Sequence, residues 1–319
     1  MVRPLVVLGA VLVALIAGRP AMAGIFPVTS PHDPRVAGAV IVDTRAVSVC
    51  GRRSLAGAHC LSPEDVLGPH GRLADFRDIL WVLGADGLSG KGTVLVAGDS
   101  PDRRDFVAGL LYLAGQKQVA VLTRPLTPLI AARGVKTAPG TPKGMIRNPI
   151  FGAWPRAGLV VLRTELAHAI DGAHPPMLLD GRTLSAYWGR RIRALRGGHI
   201  PGAQPLPMDR LRLAMAKGTV VRPGAADIVA YGADPYRSIA YFALLRLAGI
   251  KTRVYMAGWR DWAAHTALPV DAETYPDYED ADVAPVPAFQ NLATGEAIVL
   301  IGIGLLLAAA AFHLGRSRA

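Results

Sequence analysis

Cys50 and Cys60 are the only cysteines among 319 residues. A thiolate is the side chain best suited to hold a sulfur atom or to cycle between redox states. Their spacing is not the Cys-x-x-Cys that lowers a thiol pKa, so a short disulfide is the expected reading. A redox-active pair and free thiols are the alternatives. Two cysteines cannot build a four-thiolate zinc site, and His168 and His174 stand six apart with no carboxylate motif, so no metal is expected. His199 has no nucleophile visible beside it. The chain has neither a GxxxxGK phosphate loop nor a GxSxG elbow, and no cofactor is expected. Tyr241, Leu244, Leu245 and Ala248 follow the i, i+3, i+4, i+7 rhythm of a helix core.

The elements that would position such residues occur twice. Leu113-Ala114-Gly115-Gln116-Lys117 returns as Leu247-Ala248-Gly249-Ile250-Lys251, an offset of 134. Gly98-x-x-Pro101-x-Arg103 returns at the same offset as Gly232-x-x-Pro235-x-Arg237. Ile41-Val42-Asp43-Thr44-Arg45 matches Leu178-Leu179-Asp180-Gly181-Arg182, and Gly57-Ala58 matches Gly202-Ala203. Ordered matches at consistent spacing indicate two homologous domains, 24–135 and 159–270. In the second, strands are expected at Met177–Asp180, Asp227–Tyr231 and Thr252–Met256, with helices at Leu184–Leu195 and Arg237–Leu247. Continuous apolar strands alternating with helices predict a parallel sheet covered on both faces.

Gly198-His199-Ile200-Pro201-Gly202-Ala203, the Asp180-x-Arg182 after a strand and the ending Gly258-Trp259-x-x-Trp262 resemble rhodanese-like domains. The first copy diverges, with Leu55-Ala56-Gly57-Ala58 in place of the loop and Arg124-Pro125 in place of the Gly-Trp. The resemblance implies an α/β fold of two rhodanese-like domains, arranged as in thiosulfate sulfurtransferases. It also implies a persulfide-forming Cys five residues before an Arg. Arg103 and Arg237 point back to Gly98 and Gly232, so no catalytic residue is expected in either loop. Asp99, Asp102 and Asp234 add negative charge there, and Pro101 and Pro235 each remove an N–H donor. Arg103, Arg104, Arg237 and Ser238 remain as candidates for holding a small oxyanion, since arginine forks suit such groups.

The ends of the chain bear on its partners. Arg3, an apolar run from Leu5 to Ile16 and Ala21-Met22-Ala23 read as a signal peptide over 1–23. Ala297–Phe312 is uninterruptedly apolar and is followed by Arg316 and Arg318. This predicts a transmembrane anchor over 291–315 with a cytoplasmic tail at 316–319. Residues 136–158 read as a linker, and 271–290, acidic and proline-rich, as a stalk. The expected location is therefore the inner membrane, single-pass, with both domains on the periplasmic or extracytoplasmic side. Hydrophobic residues make up 51% and charged ones 18%, which excludes disorder through most of the chain. The net charge of +11 would suit nucleic acid in a cytoplasmic protein, but an exported one is expected to have no nucleic-acid partner. The sequence thus predicts a non-catalytic binding or accessory subunit, with the membrane and another exported or membrane protein as partners. A sulfurtransferase with an unconventional thiol and an oxyanion binder are the alternatives.

Overall fold

A computed structural model describes residues 24–144 and 150–271. The expected signal peptide, all but the first residue of the stalk, the anchor and the tail lie outside these residues. Among the described residues no helix is long and apolar enough to cross a membrane.

Short apolar runs that bury both faces form the strands, as parallel sheets require. The first half carries a six-stranded parallel sheet in the order Gly24–Val28, Gln118–Leu122, Thr93–Ala97, Val40–Asp43, Ala58–Cys60, Thr141–Pro142. The second carries a four-stranded one in the order Ala203–Pro205, Met177–Asp180, Ile228–Tyr231, Arg253–Val254. The repeat is preserved in register: Ile41 pairs with Ala58 and Asp43 with Cys60, as Leu178 pairs with Ala203 and Asp180 with Pro205. Gly57 and Gly202, with φ of +79° and +74°, make the left-handed turn into the matching strands, a conformation that favours glycine.

In each half a central strand feeds a loop and then a helix, Pro101–Ala114 or Pro235–Leu247. Both helices have proline in the first turn and a polar N-cap, Ser100 or Asp234, the arrangement that satisfies early N–H groups. The helices pack on each other, so one core cluster joins Phe106, Val107 and Leu110 to Ile239, Phe242 and Ala243. Phe106 meets Tyr236 across this seam with ring centroids 5.0 Å apart. The crossing depends on Gly109, where an added Cβ would lie 2.5 Å from the Ile239 carbonyl oxygen. Gly109→Leu is expected to lower stability by about 2–3 kcal/mol through overpacking. Urea unfolding checks this, and an unchanged midpoint would mean that the seam can open without loss.

One expectation needs correction, and a second gains detail. The helix expected at Leu184–Leu195 ends at Tyr187. Gly189 follows with φ +74°, and the next residues place Arg190 and Arg193 at i, i+3, where like charges oppose a helix. Parts of the stretch read as a linker, 136–158, also contribute to the sheets and the core. Thr137–Ala138 pairs antiparallel with Ser54–Leu55, Thr141–Pro142 forms the sheet edge, and Phe151 is buried in the shared core. Proline is tolerated at such an edge.

Candidate functional site

The second loop, Gly232-Ala233-Asp234, is wound tightly against its surroundings. The Gly232 N–H donates to Ser238 Oγ at 3.0 Å, and the Gly232 and Ala233 carbonyls accept from the Trp259 and Arg260 N–H groups at 2.9 Å each. The Asp234 carboxylate takes the Arg237 N–H at 2.9 Å, so a helix donor that could face an anion is already used. A Cβ on Gly232 would lie 2.7 Å from the Arg237 carbonyl carbon and 2.8 Å from the Ser238 nitrogen. Gly258, at φ +70°, presses on the same loop, since its own Cβ would stand 2.7 Å from the Gly232 oxygen.

The first loop is closed in a similar way. A Cβ on Gly98 would overlap Thr44 Oγ1. The Gly98 carbonyl accepts from the Leu126 N–H at 3.1 Å and from Arg104 Nη1 at 2.6 Å. Asp99 is turned to the following helix, accepting from the Thr127 N–H at 2.7 Å and its hydroxyl at 2.6 Å.

Of the four anion-binding candidates, the structure leaves one facing open space. Arg103 donates to the Thr44 carbonyl at 2.9 Å, to Ser62 Oγ at 3.2 Å and to Glu64 at 2.6 Å. Hydrogen bonding from Arg103 holds the Glu64 carboxyl down at about 2. Arg104 is buried and donates to the Gly98, Thr123 and Arg124 carbonyls. Ser238 is fully buried. Arg237 alone reaches a cavity, where it pairs with Asp102 from the opposite loop helix.

That cavity, about 550 Å³, is lined by seven arginines and three aspartates, with no cysteine, histidine or serine. Arg182, one of the lining residues, is paired with the buried Asp180, with Nε 3.0 Å from both carboxylate oxygens and Nη2 2.5 Å from Oδ2. The Arg182 guanidinium lies 4.5 Å from the Trp259 ring centroid. Arg212 bridges to Asp102 at 2.8 Å and Asp105 at 2.6 Å, stitching the halves together. Burial pushes the Asp105 carboxyl up to about 6, against the pull of Arg212. Arg196 donates to four backbone carbonyls, and Arg260 reaches Asp234 at 3.2 Å. Arg191 and Arg193 are different. They stand exposed on the wall, with no side-chain hydrogen bond or ion pair among the described residues. Two unneutralised guanidinium forks at a basic cavity suit an anion. The one hydroxyl in the lining is that of Thr183, whose Oγ1 lies 3.2 Å from Ser185 Oγ.

Cys50 and Cys60 form a disulfide, are fully buried and leave no free thiol. His199 stacks on Tyr187 with centroids 3.7 Å apart, its Nδ1 3.2 Å from the Tyr187 carbonyl. Burial lowers its pKa, and its Nε2 stands 3.5 Å from Asp271 Oδ2. His168 and His174 are exposed, and no group of three or more possible metal ligands occurs among the described residues. Sequence reasoning missed the strap from Gly189 to Gly197 as the cavity wall. The run Arg190-Arg191-x-Arg193-x-x-Arg196 was its visible signal.

The rhodanese-like domain family matches residues 162–265. No curated protein matches the chain. Among solved structures, "Probable Thiosulfate Sulfurtransferase" is 23% identical with a TM-score of 0.52, covering 73% of this chain and 97% of that one. Tum1 protein from Saccharomyces cerevisiae is 13% identical with a TM-score of 0.60, covering 78% and 97%. YnjE is 18% identical with a TM-score of 0.56, and the matched region spans 61% of its length. At these identities the likeness is one of fold, and a share above 70% of the chain extends it into the first half as well.

Proposed function

Residues 162–265 belong to the rhodanese-like domain family, and from that premise we propose that this protein is a non-catalytic binding or accessory module. It is held at the inner membrane by its C-terminal apolar run, with both halves on the extracytoplasmic side. Another exported or membrane protein is its partner, and nucleic acid is not. The observation that carries the non-catalytic reading is that both cysteines of the chain are joined in one buried disulfide. Persulfide chemistry needs a thiolate at the reacting site. Gly98 and Gly232 supply none, and neither loop has space for a Cβ. The test is thiosulfate-to-cyanide sulfur transfer by the purified full chain. No thiocyanate above the buffer rate is expected, with or without reductant. Turnover that disappears in a C50S/C60S variant would establish a sulfurtransferase with an unconventional thiol.

A second reading, binding of a small oxyanion such as thiosulfate, sulfate or phosphate, is favoured by Arg191 and Arg193 at the cavity, which have no side-chain partner among the described residues. It predicts a thermal shift with millimolar thiosulfate that R191Q/R193Q removes.

A further inference from the structure

We propose that the acidic segment directly following Asp271 docks into the arginine-lined cavity of the second half and competes there with external anions. The proposal rests on the anion-binding reading of that cavity and is independent of whether sulfur transfer occurs.

Three observations converge. The first is where the described chain ends. Asp271 pairs with His199 as an antiparallel bridge, its N–H donating to the His199 carbonyl at 3.0 Å and its carbonyl accepting from the His199 N–H at 3.3 Å. The Asp271 oxygen lies so close to Gly198 that a Cβ there would stand 2.6 Å away. In an antiparallel pair the chains run past each other in opposite senses. Continuing that pairing beyond Asp271 would lead past Gly198 and Gly197 toward the arginine strap.

The second is charge. Residues 272–290 carry Glu273, Asp277, Glu279, Asp280 and Asp282 and no lysine or arginine. The strap presents Arg191 and Arg193 without side-chain partners among the described residues. Complementary potentials of this kind select orientation and partner. The segment also contains Tyr275 and Tyr278, and beside the two arginines Ile192 and Leu195 are 60% and 71% exposed. Large apolar side chains so exposed next to a cavity offer the rings a surface to cover.

The third is reach and concentration. Residues 272–282 extended span roughly 35 Å at about 3.3 Å per residue, several times the width of a 550 Å³ cavity. Tethering at the rim makes docking intramolecular, at an effective concentration of order millimolar for a short flexible connection. A free oxyanion must compete with that.

The test uses the full chain in detergent micelles with two arms. In the first, a glutamyl endopeptidase cuts after Glu273 and Glu279. Docking predicts that R191Q/R193Q accelerates both cuts about tenfold, as expected if the segment is bound nine-tenths of the time. These side chains are exposed, so the fold survives their replacement. Equal cleavage rates in the two proteins would overturn the proposal. In the second arm, thiosulfate is titrated into the wild type and into a variant with the segment neutralised (E273Q, D277N, E279Q, D280N, D282N). An apparent affinity about tenfold tighter in the variant is expected by the same relation, and equal measurable affinities would also overturn the proposal. Thiosulfate bound by neither protein would count against the oxyanion reading, and the protease arm would then decide docking alone.

Discussion

Replacing Arg182 with methionine is expected to destabilise the protein by about 3–5 kcal/mol, the typical cost of leaving one member of a buried ion pair alone. Asp180 is fully buried and Arg182 is 8% exposed. The carboxylate also accepts the Arg182 backbone N–H at 2.9 Å, so this single aspartate fixes both the turn and the guanidinium. Arg182 then reaches across to the Gly198 carbonyl at 2.8 Å, tying the strand end to the Gly198–Ala203 loop. The first half repeats the device. Asp43 accepts the Arg45 N–H at 3.0 Å and its Nε at 3.1 Å, and Arg45 Nη2 reaches the Arg53 carbonyl at 2.7 Å. Arg45→Met should therefore carry a similar loss. Because desolvating two charges consumes much of what their attraction gains, Asp180→Leu with Arg182→Met should recover a large part of the deficit. Urea unfolding of the two single variants and the double variant checks this. A loss below about 1 kcal/mol for Arg182→Met would place the pair among weak surface contacts.

That recurrence explains which parts of the fold were legible in the sequence. Asp43-x-Arg45 and Asp180-x-Arg182, the Gly98 and Gly232 loops and the glycine turns at Gly57 and Gly202 are local devices, fixed by residue type within a few positions. Duplication made each of them visible twice. The disulfide was legible because two cysteines offer a single pairing. Less legible were features that depend on what arrives from far along the chain. Nothing near Gly109 announces that Ile239 will press against it. Pro142 reads as a breaker until a parallel edge is available for it. The strap at 189–197 looks helical by its apolar spacing, yet Ile192 and Leu195 are exposed, and burial of that face was the only gain that could have offset clustered arginines. The anion candidates differ for the same reason. Arg103 and Arg104 are claimed by Glu64 and by backbone carbonyls from other elements, while Arg237 points at the cavity.

The second large effect concerns Asp86, which caps the helix Phe76–Ala85 and is fully buried with neither carboxylate oxygen hydrogen-bonded. Burial raises its pKa from 3.8 to about 7, the nearby charge of Asp65 adds to the rise, and Lys143 opposes it. Lys143 is held in an ion pair with Asp65, so it is not free to neutralise Asp86. His59 lies against Gly87 on the other side, and burial lowers its own pKa, so it brings no compensating charge at neutral pH. The sign follows from linkage. Below pH 3.8 the carboxyl is protonated in both folded and unfolded chains, and its contribution to stability is fully present. As pH rises, the unfolded chain releases the proton first, and the contribution is lost up to the folded value near 7. Asp86→Asn mimics the protonated state at every pH. It should match the wild type near pH 3 and exceed it at pH 8 by up to about 4 kcal/mol, because a tenfold change in proton affinity corresponds to about 1.4 kcal/mol. Urea midpoints at several pH values, with hydrogen exchange across Phe76–Ala85 as the local readout, check this. A variant whose advantage is the same at pH 5 and pH 8 would show that Asp86 finds a partner on ionising. The cost of the buried charge is then already met, and the first half would show no titration there. A growing advantage instead shows that ionised Asp86 stays without a hydrogen-bond partner in the folded chain, and the corner between Asp65, Asp86 and Lys143 then loses stability in alkali, since a buried charge without hydrogen bonds is relieved by water reaching it.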